Sequence, residues 1–178
     1  MVDFKLYLES NFVSSPEQVM IGIDDQTLIE TVLPVKEINF SCELDDSYHT
    51  LWIKLVNKKP ENELRQNGIL VSDTYINVFN LSINDSMMNH LLNDNGYIIP
   101  DWEYHRDVAD WFKINKGSIP ERLEKSKYLN LKGVYYFNFY LPIKNYLLEK
   151  IPMNPTYSIL YNEALDKFEK LEAKLLSS

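Results

Sequence analysis

Apolar and polar side chains alternate in one run after another along this chain, and this period of two is the strongest constraint on its fold. The runs 38–44 and 134–141 show it most clearly. Successive side chains of a β-strand point to opposite faces, so the alternation is typical of strands with one buried face. The pattern predicts strands near 19–23, 36–44, 49–57, 74–83 and 134–141.

Turn-forming residues separate these runs. Asp24-Asp25, Pro34 and Asp45-Asp46-Ser47 interrupt the first three, and the polar stretch 57–68 ends in Asn-Gly. No helical pattern alternates with the strands, as it would in a parallel sheet. We therefore predict a mainly β fold, an antiparallel β-sandwich of jelly-roll type.

Residues 84–130 do not follow this alternation. We interpret them as an irregular aromatic insertion, with one or two helical turns within 101–113. Pro120 suits a first helical position, which predicts a second short helix in 119–129. Long irregular segments in compact domains are usually functional or ordered by a partner.

The insertion contains the best candidates for a ligand site. Three aromatic residues lie close in sequence to four acidic ones: Trp102, Tyr104 and Trp111, with Asp101, Glu103, Asp107 and Asp110. A sugar ring stacks an apolar face on an aromatic ring, while carboxylates accept hydrogen bonds from its hydroxyls. The alternative is that these rings close one end of the sandwich as core residues.

Other chemistries have little support in the sequence. The aspartates at inferred strand ends, such as Asp24, Asp45 and Asp85, offer oxygen ligands for Ca²⁺, but they are also ordinary turn formers. The three histidines lack metal-site spacing, and phosphate-binding and hydrolase motifs are absent. We expect no metal, no cofactor and no enzymatic activity. A glycan-processing enzyme would need a carboxylate pair that the sequence does not identify.

Charge and composition narrow the partners further. The net charge is −8 and no basic stripe occurs, so we expect no nucleic-acid partner. The one cysteine, Cys42, cannot form an internal disulfide and is typical of a reducing compartment. The N-terminus does not resemble a signal peptide, and no run approaches the roughly 20 apolar residues of a membrane span, so we expect no membrane partner.

The C-terminal region has a different pattern. Apolar residues recur there at spacings of three and four, which predicts an amphipathic helix with a narrow seam. The seam residues are Tyr157, Tyr161, Ala164, Phe168, Leu171 and Leu175. We divide the chain into a β-sandwich domain, 1–152, and this helix, 153–178. The spacing favours a helix as the partner, so we expect the seam to be a protein–protein interface.

Two stretches, SCELDDSYHTLWIKLVNKKPEN and GILVSDTYINVFNLSIND, resemble a segment of small uncharacterised proteins of tailed bacteriophages. GYIIPDWEY and GVYYFNFYLPIKNYLL resemble later parts of the same pattern, and together the similarity covers roughly 36–148. The chain departs from the pattern in carrying Tyr135 and Tyr136 where tryptophans would be expected.

This resemblance implies a β-sandwich of the kind found in carbohydrate-binding modules and in accessory parts of virions. It predicts a non-enzymatic structural or attachment component of a phage particle. Such a component would be made in the host cytoplasm, incorporated in the virion, and joined to itself or to other virion proteins through the C-terminal helix. The alternative is a carbohydrate-binding module that uses the aromatic residues of 84–130.

Overall fold

The protein is described by a computed structural model that covers residues 1–11, 18–32, 37–56, 58, 63–67, 69–126 and 128–150. In this part of the chain the strands are β1 Val2–Asn11, β2 Gln18–Ile23, β3 Gln26–Val32, β4 Glu37–Cys42, β5 Tyr48–Leu55, β6 Glu63–Gln66, β7 Ile69–Asp73, β8 Tyr75–Ile83, β9 Ser86–Met87, β10 Gly96–Pro100, β11 Leu123–Glu124, β12 Tyr128–Leu129 and β13 Gly133–Tyr140. The helices are α1 Asn89–Asn95, α2 Arg106–Lys116 and α3 Ile143–Lys150.

Two antiparallel sheets form the sandwich. The first sheet has the order β12-β8-β1-β4, with β9 added to β8, and the second has the order β11-β10-β13-β5-β2-β3. β6 and β7 form a separate hairpin. The chain passes repeatedly from one sheet to the other, as in a jelly roll. The predicted fold class, a mainly β antiparallel sandwich, is confirmed.

The core lies between the two sheets and explains the alternation in the sequence. Leu51, Ile53 and Leu55 of β5 are buried, whereas the residues between them are partly or fully exposed. Phe4 of β1 stacks on Phe40 of β4 at a centroid distance of 4.9 Å. Each buried side chain of this size contributes about 1.5–3 kcal/mol relative to an exposed one.

The five predicted strands correspond to β2, β4, β5, β8 and β13. β1 was not predicted, although Val2, Phe4, Leu6 and Leu8 alternate and are buried. β1 lies inside the first sheet, between β8 and β4, so it is a central element of the fold.

Residues 84–130 belong partly to the sandwich. β10 pairs with β13, and β12 pairs with β8, so this stretch contributes to both sheets. The helix predicted within 101–113 is present as α2, which runs to Lys116. The prediction of a helix in 119–129 is wrong. Leu123 pairs with Ile98 of β10, so the backbone there forms hydrogen bonds between strands in place of those of a helix.

The described chain ends with α3. Ile143 and Tyr146 are the buried residues of this helix. The Tyr146 hydroxyl donates a hydrogen bond to the Asn138 carbonyl at 2.9 Å. The predicted interface helix with its seam from Tyr157 to Leu175 lies outside the described residues, and the domain boundary at 152–153 stays a prediction. Among the helices described, none combines the length and the apolarity needed to span a membrane.

Candidate functional site

The aromatic residues predicted as a ligand site lie in the turn after β10 and in α2. Asp101 closes the turn, because its carbonyl accepts hydrogen bonds from the backbone N–H groups of Tyr104, at 3.1 Å, and His105, at 3.0 Å. His105 then begins α2 as its N-cap residue, and Gly117 ends the helix with a left-handed conformation, φ 82°. This turn determines where the four predicted residues lie.

Asp101 and Tyr104 meet at Lys132. The Asp101 carboxylate pairs with the Lys132 ammonium at 3.0 Å, and that ammonium lies 4.8 Å from the centre of the Tyr104 ring. The Lys132 side chain, followed by the hydrogen bond from the Tyr104 N–H, holds the pKa of Asp101 below its usual value. Lys132 therefore already pairs with the Asp101 carboxylate and covers one face of the Tyr104 ring.

His105 anchors this turn to the start of β13. Its side chain is buried, and its Nε2 atom accepts a hydrogen bond from the Lys132 backbone N–H at 2.6 Å. An accepting nitrogen carries no proton, so the neutral ring has its proton on Nδ1. Asp101, Tyr104 and His105 thus form a structural cluster around Lys132.

Trp102 lies in a different environment. Its indole N–H donates to the Pro120 carbonyl at 2.9 Å, and its ring meets Phe112 edge to face at 5.7 Å. The side chain is half-buried, so part of the indole is exposed. Trp102 is held in place from two sides and still borders solvent.

An open pocket of about 300 Å³ begins at this indole. Its lining consists of Trp102, Glu103, Arg106, Ala109, Asp110 and Ile119. Arg106, Ala109 and Asp110 are three and four residues apart in α2 and so share one face of the helix. The pocket combines an aromatic wall, two carboxylates as acceptors and a guanidinium as a donor.

Trp111 is separate from this pocket. It is 51% exposed on α2, and its ring meets that of Phe112 edge to face at 5.2 Å. Of the four predicted residues, the structure therefore places Trp102 in a pocket, Asp101 and Tyr104 around Lys132, and Trp111 on the surface. Their role in binding a sugar stays a prediction.

Sequence reasoning overlooked part of the pocket. Glu103 and Asp110 were recognised as acids near the aromatic residues, but Arg106, Ala109 and Ile119 were not considered. The spacing of Arg106 and Asp110 on a predicted helix was a usable signal. Ile119 reaches the pocket through the contact between Trp102 and Pro120, which are 18 residues apart, and a local pattern does not reveal such a contact.

Asp24 and Asp45, two of the aspartates considered for calcium, contact His49. Asp24 Oδ2 lies 2.7 Å from Nδ1 of the buried His49, and the Asp45 carbonyl lies 3.0 Å from Nε2 of the same ring. Asp85 lies at the turn between β8 and β9 with φ 59°. Within the described ranges, no group of three or more His, Cys, Asp or Glu side chains is arranged to hold a metal ion.

Comparisons with known proteins add little to this picture. No protein-family model matches the chain, and no curated protein is similar enough to count as a match. A solved structure described as "vCBM60 in complex with galactobiose" superposes with a TM-score of 0.48 and 12% identity, covering 76% of this chain and 98% of that one. This similarity is too low to support a conclusion about function.

Proposed function

We propose that this protein is a non-catalytic carbohydrate-binding domain that holds a sugar unit in the Trp102 pocket. The observation that carries the proposal is the partly exposed indole of Trp102 beside Glu103, Arg106 and Asp110. The C–H face of a pyranose stacks on an indole, while its hydroxyls donate to carboxylates and accept from a guanidinium. An aromatic wall with a few convergent polar groups is the usual composition of a small-molecule site.

The experiment is a screen of the full chain on a glycan array, followed by titration calorimetry with the glycans that bind. We expect Trp102→Ala to weaken binding at least tenfold, about 1.4 kcal/mol. Trp111→Ala is the matched control, because it removes an equally large ring that also contacts Phe112 but lies outside the pocket. Equal effects of the two substitutions would refute the assignment of the pocket.

A pair of isosteric substitutions tests the polar side of the pocket without removing a packed ring. Asp110→Asn should weaken binding severalfold, because an amide donates where the carboxylate accepts. Asp107→Asn makes the same charge change on the same helix but outside the pocket lining and should have little effect. An array on which no glycan binds would refute the function itself.

A second candidate function is the structural or attachment component of a phage particle. The sequence supports it through the resemblance over 36–148 and the apolar seam of 157–175. This role would place the protein in the host cytoplasm and then in the virion, joined to copies of itself or to other virion proteins. Association in solution, measured by light scattering, distinguishes this role from a monomeric sugar-binding domain.

A further inference from the structure

A row of aromatic side chains crosses the outer face of the second sheet. Tyr97 of β10 is the register partner of Tyr136 in β13, and Tyr136 is the partner of Trp52 in β5. Residues adjacent to each of them in sequence, Ile98, Tyr135 and Ile53, are buried in the core. Because side chains alternate between faces, the three aromatic residues point away from the core. Each is only half-buried, so part of every ring is exposed.

Trp52 lies over the neighbouring strand β2. Its register partner there is Gly22, where an added Cβ would be 2.2 Å from Cζ2 and 2.5 Å from Cε2 of the indole. Only a glycine lets the indole approach the backbone this closely. The indole N–H donates to the Asp24 carbonyl at 2.8 Å. The ring is therefore held against the sheet, its one donor is used, and its outward face is left for stacking.

The other end of the row is also fixed in position. Tyr97 and Tyr136 stack with a centroid distance of 5.3 Å and an interplanar angle of 19°. The Arg122 guanidinium covers Tyr97 at 4.6 Å from the ring centre and is itself paired with Glu124. Cation–π contact and stacking together order these side chains before any ligand arrives.

This row and the Trp102 pocket meet at one short segment, residues 119–122. Ile119 lines the pocket, the Pro120 carbonyl holds the Trp102 indole, and Arg122 covers Tyr97. Two residues of extended chain span at most about 7 Å, so the Cα atoms of Pro120 and Arg122 lie no farther apart than that. The pocket and the row thus share contacts with one short segment, residues 119–122.

We infer that the aromatic row extends the pocket into a series of subsites for a neutral oligosaccharide, with Trp52 as the most distant subsite. This inference rests on the proposed function. The strands of a sheet are about 4.8 Å apart, similar to the length of one hexopyranose unit in an extended chain. A ligand that crosses the strands would therefore pass from one aromatic residue to the next, one sugar unit at a time. Because Tyr136 and Arg122 already pack on the Tyr97 ring, the ligand would touch the exposed parts of Tyr97 and Tyr136 and stack on the Trp52 indole.

Charge and neighbouring groups specify the class of ligand. The net charge of −8 opposes an acidic polysaccharide. Beside the row, the Thr50 hydroxyl donates to the Asn138 side chain at 3.0 Å, so uncharged polar groups lie on one side of Tyr136 and Trp52, and Lys54 lies on the other side of Trp52. Neutral hydroxyl-rich chains match this surface in both charge and hydrogen bonding.

The experiment measures affinity against ligand length. The probes are neutral β-linked gluco-, galacto-, manno- and xylo-oligosaccharides of increasing length, from single sugars to about six units, titrated into the full chain. For the series that binds, we expect affinity to rise at least tenfold between the single sugar and the longer members. Trp52→Ala should abolish this gain and leave binding of the single sugar unchanged.

Two further variants keep the test independent of folding. Arg122→Ala changes a side chain that is 51% exposed, so it preserves the fold while releasing Tyr97, and it should reduce the gain with length. Phe79→Ala is the matched control, because Phe79 is an exposed aromatic residue on the first sheet. It should leave the gain intact.

The outcomes separate the two proposals. A gain with length that survives both Trp52→Ala and Arg122→Ala overturns the extended site and leaves the pocket standing. Affinity that does not depend on length has the same consequence. If no probe binds, the extended site for neutral oligosaccharides is overturned, and the glycan array then decides whether the pocket takes a different sugar.

Discussion

Substitution of Asp24 by asparagine should make the stability of this protein less dependent on pH, through His49. The His49 ring is 6% exposed, and both of its nitrogens face oxygen atoms, Asp24 Oδ2 at 2.7 Å and the Asp45 carbonyl at 3.0 Å. A neutral imidazole donates only one hydrogen bond, so both contacts are satisfied only when the ring is protonated.

The direction of the effect follows from the pKa of His49. Burial of the ring lowers this pKa, but the hydrogen bonds to Asp24 and Asp45, together with the negative charges of both residues, raise it above the ordinary value of 6.5. A raised pKa in the folded state means that protonation stabilises the fold. This stabilisation is complete below about pH 6.5 and is lost as the pH rises through the folded-state pKa.

The size of the effect follows from exposure. A hydrogen bond to a charged group contributes about 1.5–3 kcal/mol when it is well shielded. The Asp24 side chain is 42% exposed, so solvent screening reduces the contribution, and we expect a loss of about 1 kcal/mol near pH 6. For a domain of this size that is about 2–4 °C in Tm. At a pH well above the folded-state pKa of His49 the loss should be well below about 0.5 kcal/mol, since the ring is then neutral.

Asparagine suits this position for a second reason. Asp24 has φ 51°, and asparagine adopts that left-handed conformation readily. Urea unfolding at both pH values measures the free energy of unfolding. Asp25→Asn, an equal charge change at the adjacent exposed residue, is the control. The reasoning is refuted if Asp24→Asn costs the same at both pH values, or if Asp25→Asn reproduces its effect.

Two buried tyrosines should respond differently to loss of the hydroxyl. Among the described residues the Tyr135 hydroxyl has no hydrogen-bond partner, whereas the Tyr146 hydroxyl donates to the Asn138 carbonyl and accepts from the Asn95 amide at 2.7 Å. In urea unfolding, Tyr135→Phe should be neutral or stabilising and Tyr146→Phe should cost about 1–2 kcal/mol; the reverse order would contradict this. For the C-terminal seam, Phe168→Asp combined with Leu171→Asp should abolish any association seen by light scattering and leave the β-domain folded. Unfolding of that domain would show that the seam completes its core.

Local patterns were sufficient to predict the fold class and five of the strands. One face of β5 and of β13 is buried, so apolar residues occupy every second position of these strands, and the sequence shows this pattern directly. The same signal is present in β1, at Val2, Phe4, Leu6 and Leu8. That segment was considered only as a possible signal peptide, so its alternation was overlooked.

The candidate sites could be predicted only in part, because they depend on contacts between distant residues. Trp102 was recognised from composition, but its pocket also needs the contact with Pro120. The aromatic row needs the register of three strands, which brings Trp52, Tyr136 and Tyr97 together. Tyr135 and Tyr136 are adjacent in sequence but differ in environment, since the Tyr135 ring is buried and the Tyr136 ring is in the row.

The positions of β1 and β13 have a consequence for synthesis of the chain on the ribosome. Among the described strands, β1 comes first in the chain yet lies between β4 and β8, and β13 comes last and lies between β5 and β10. One edge of β1 therefore stays unpaired until β8 has been made, and the second sheet stays divided until Tyr140 has been added. At about 5–20 residues per second, the nascent chain carries open strand edges for several seconds. Truncation before Gly133 would leave β5 and β10 without the strand that joins them.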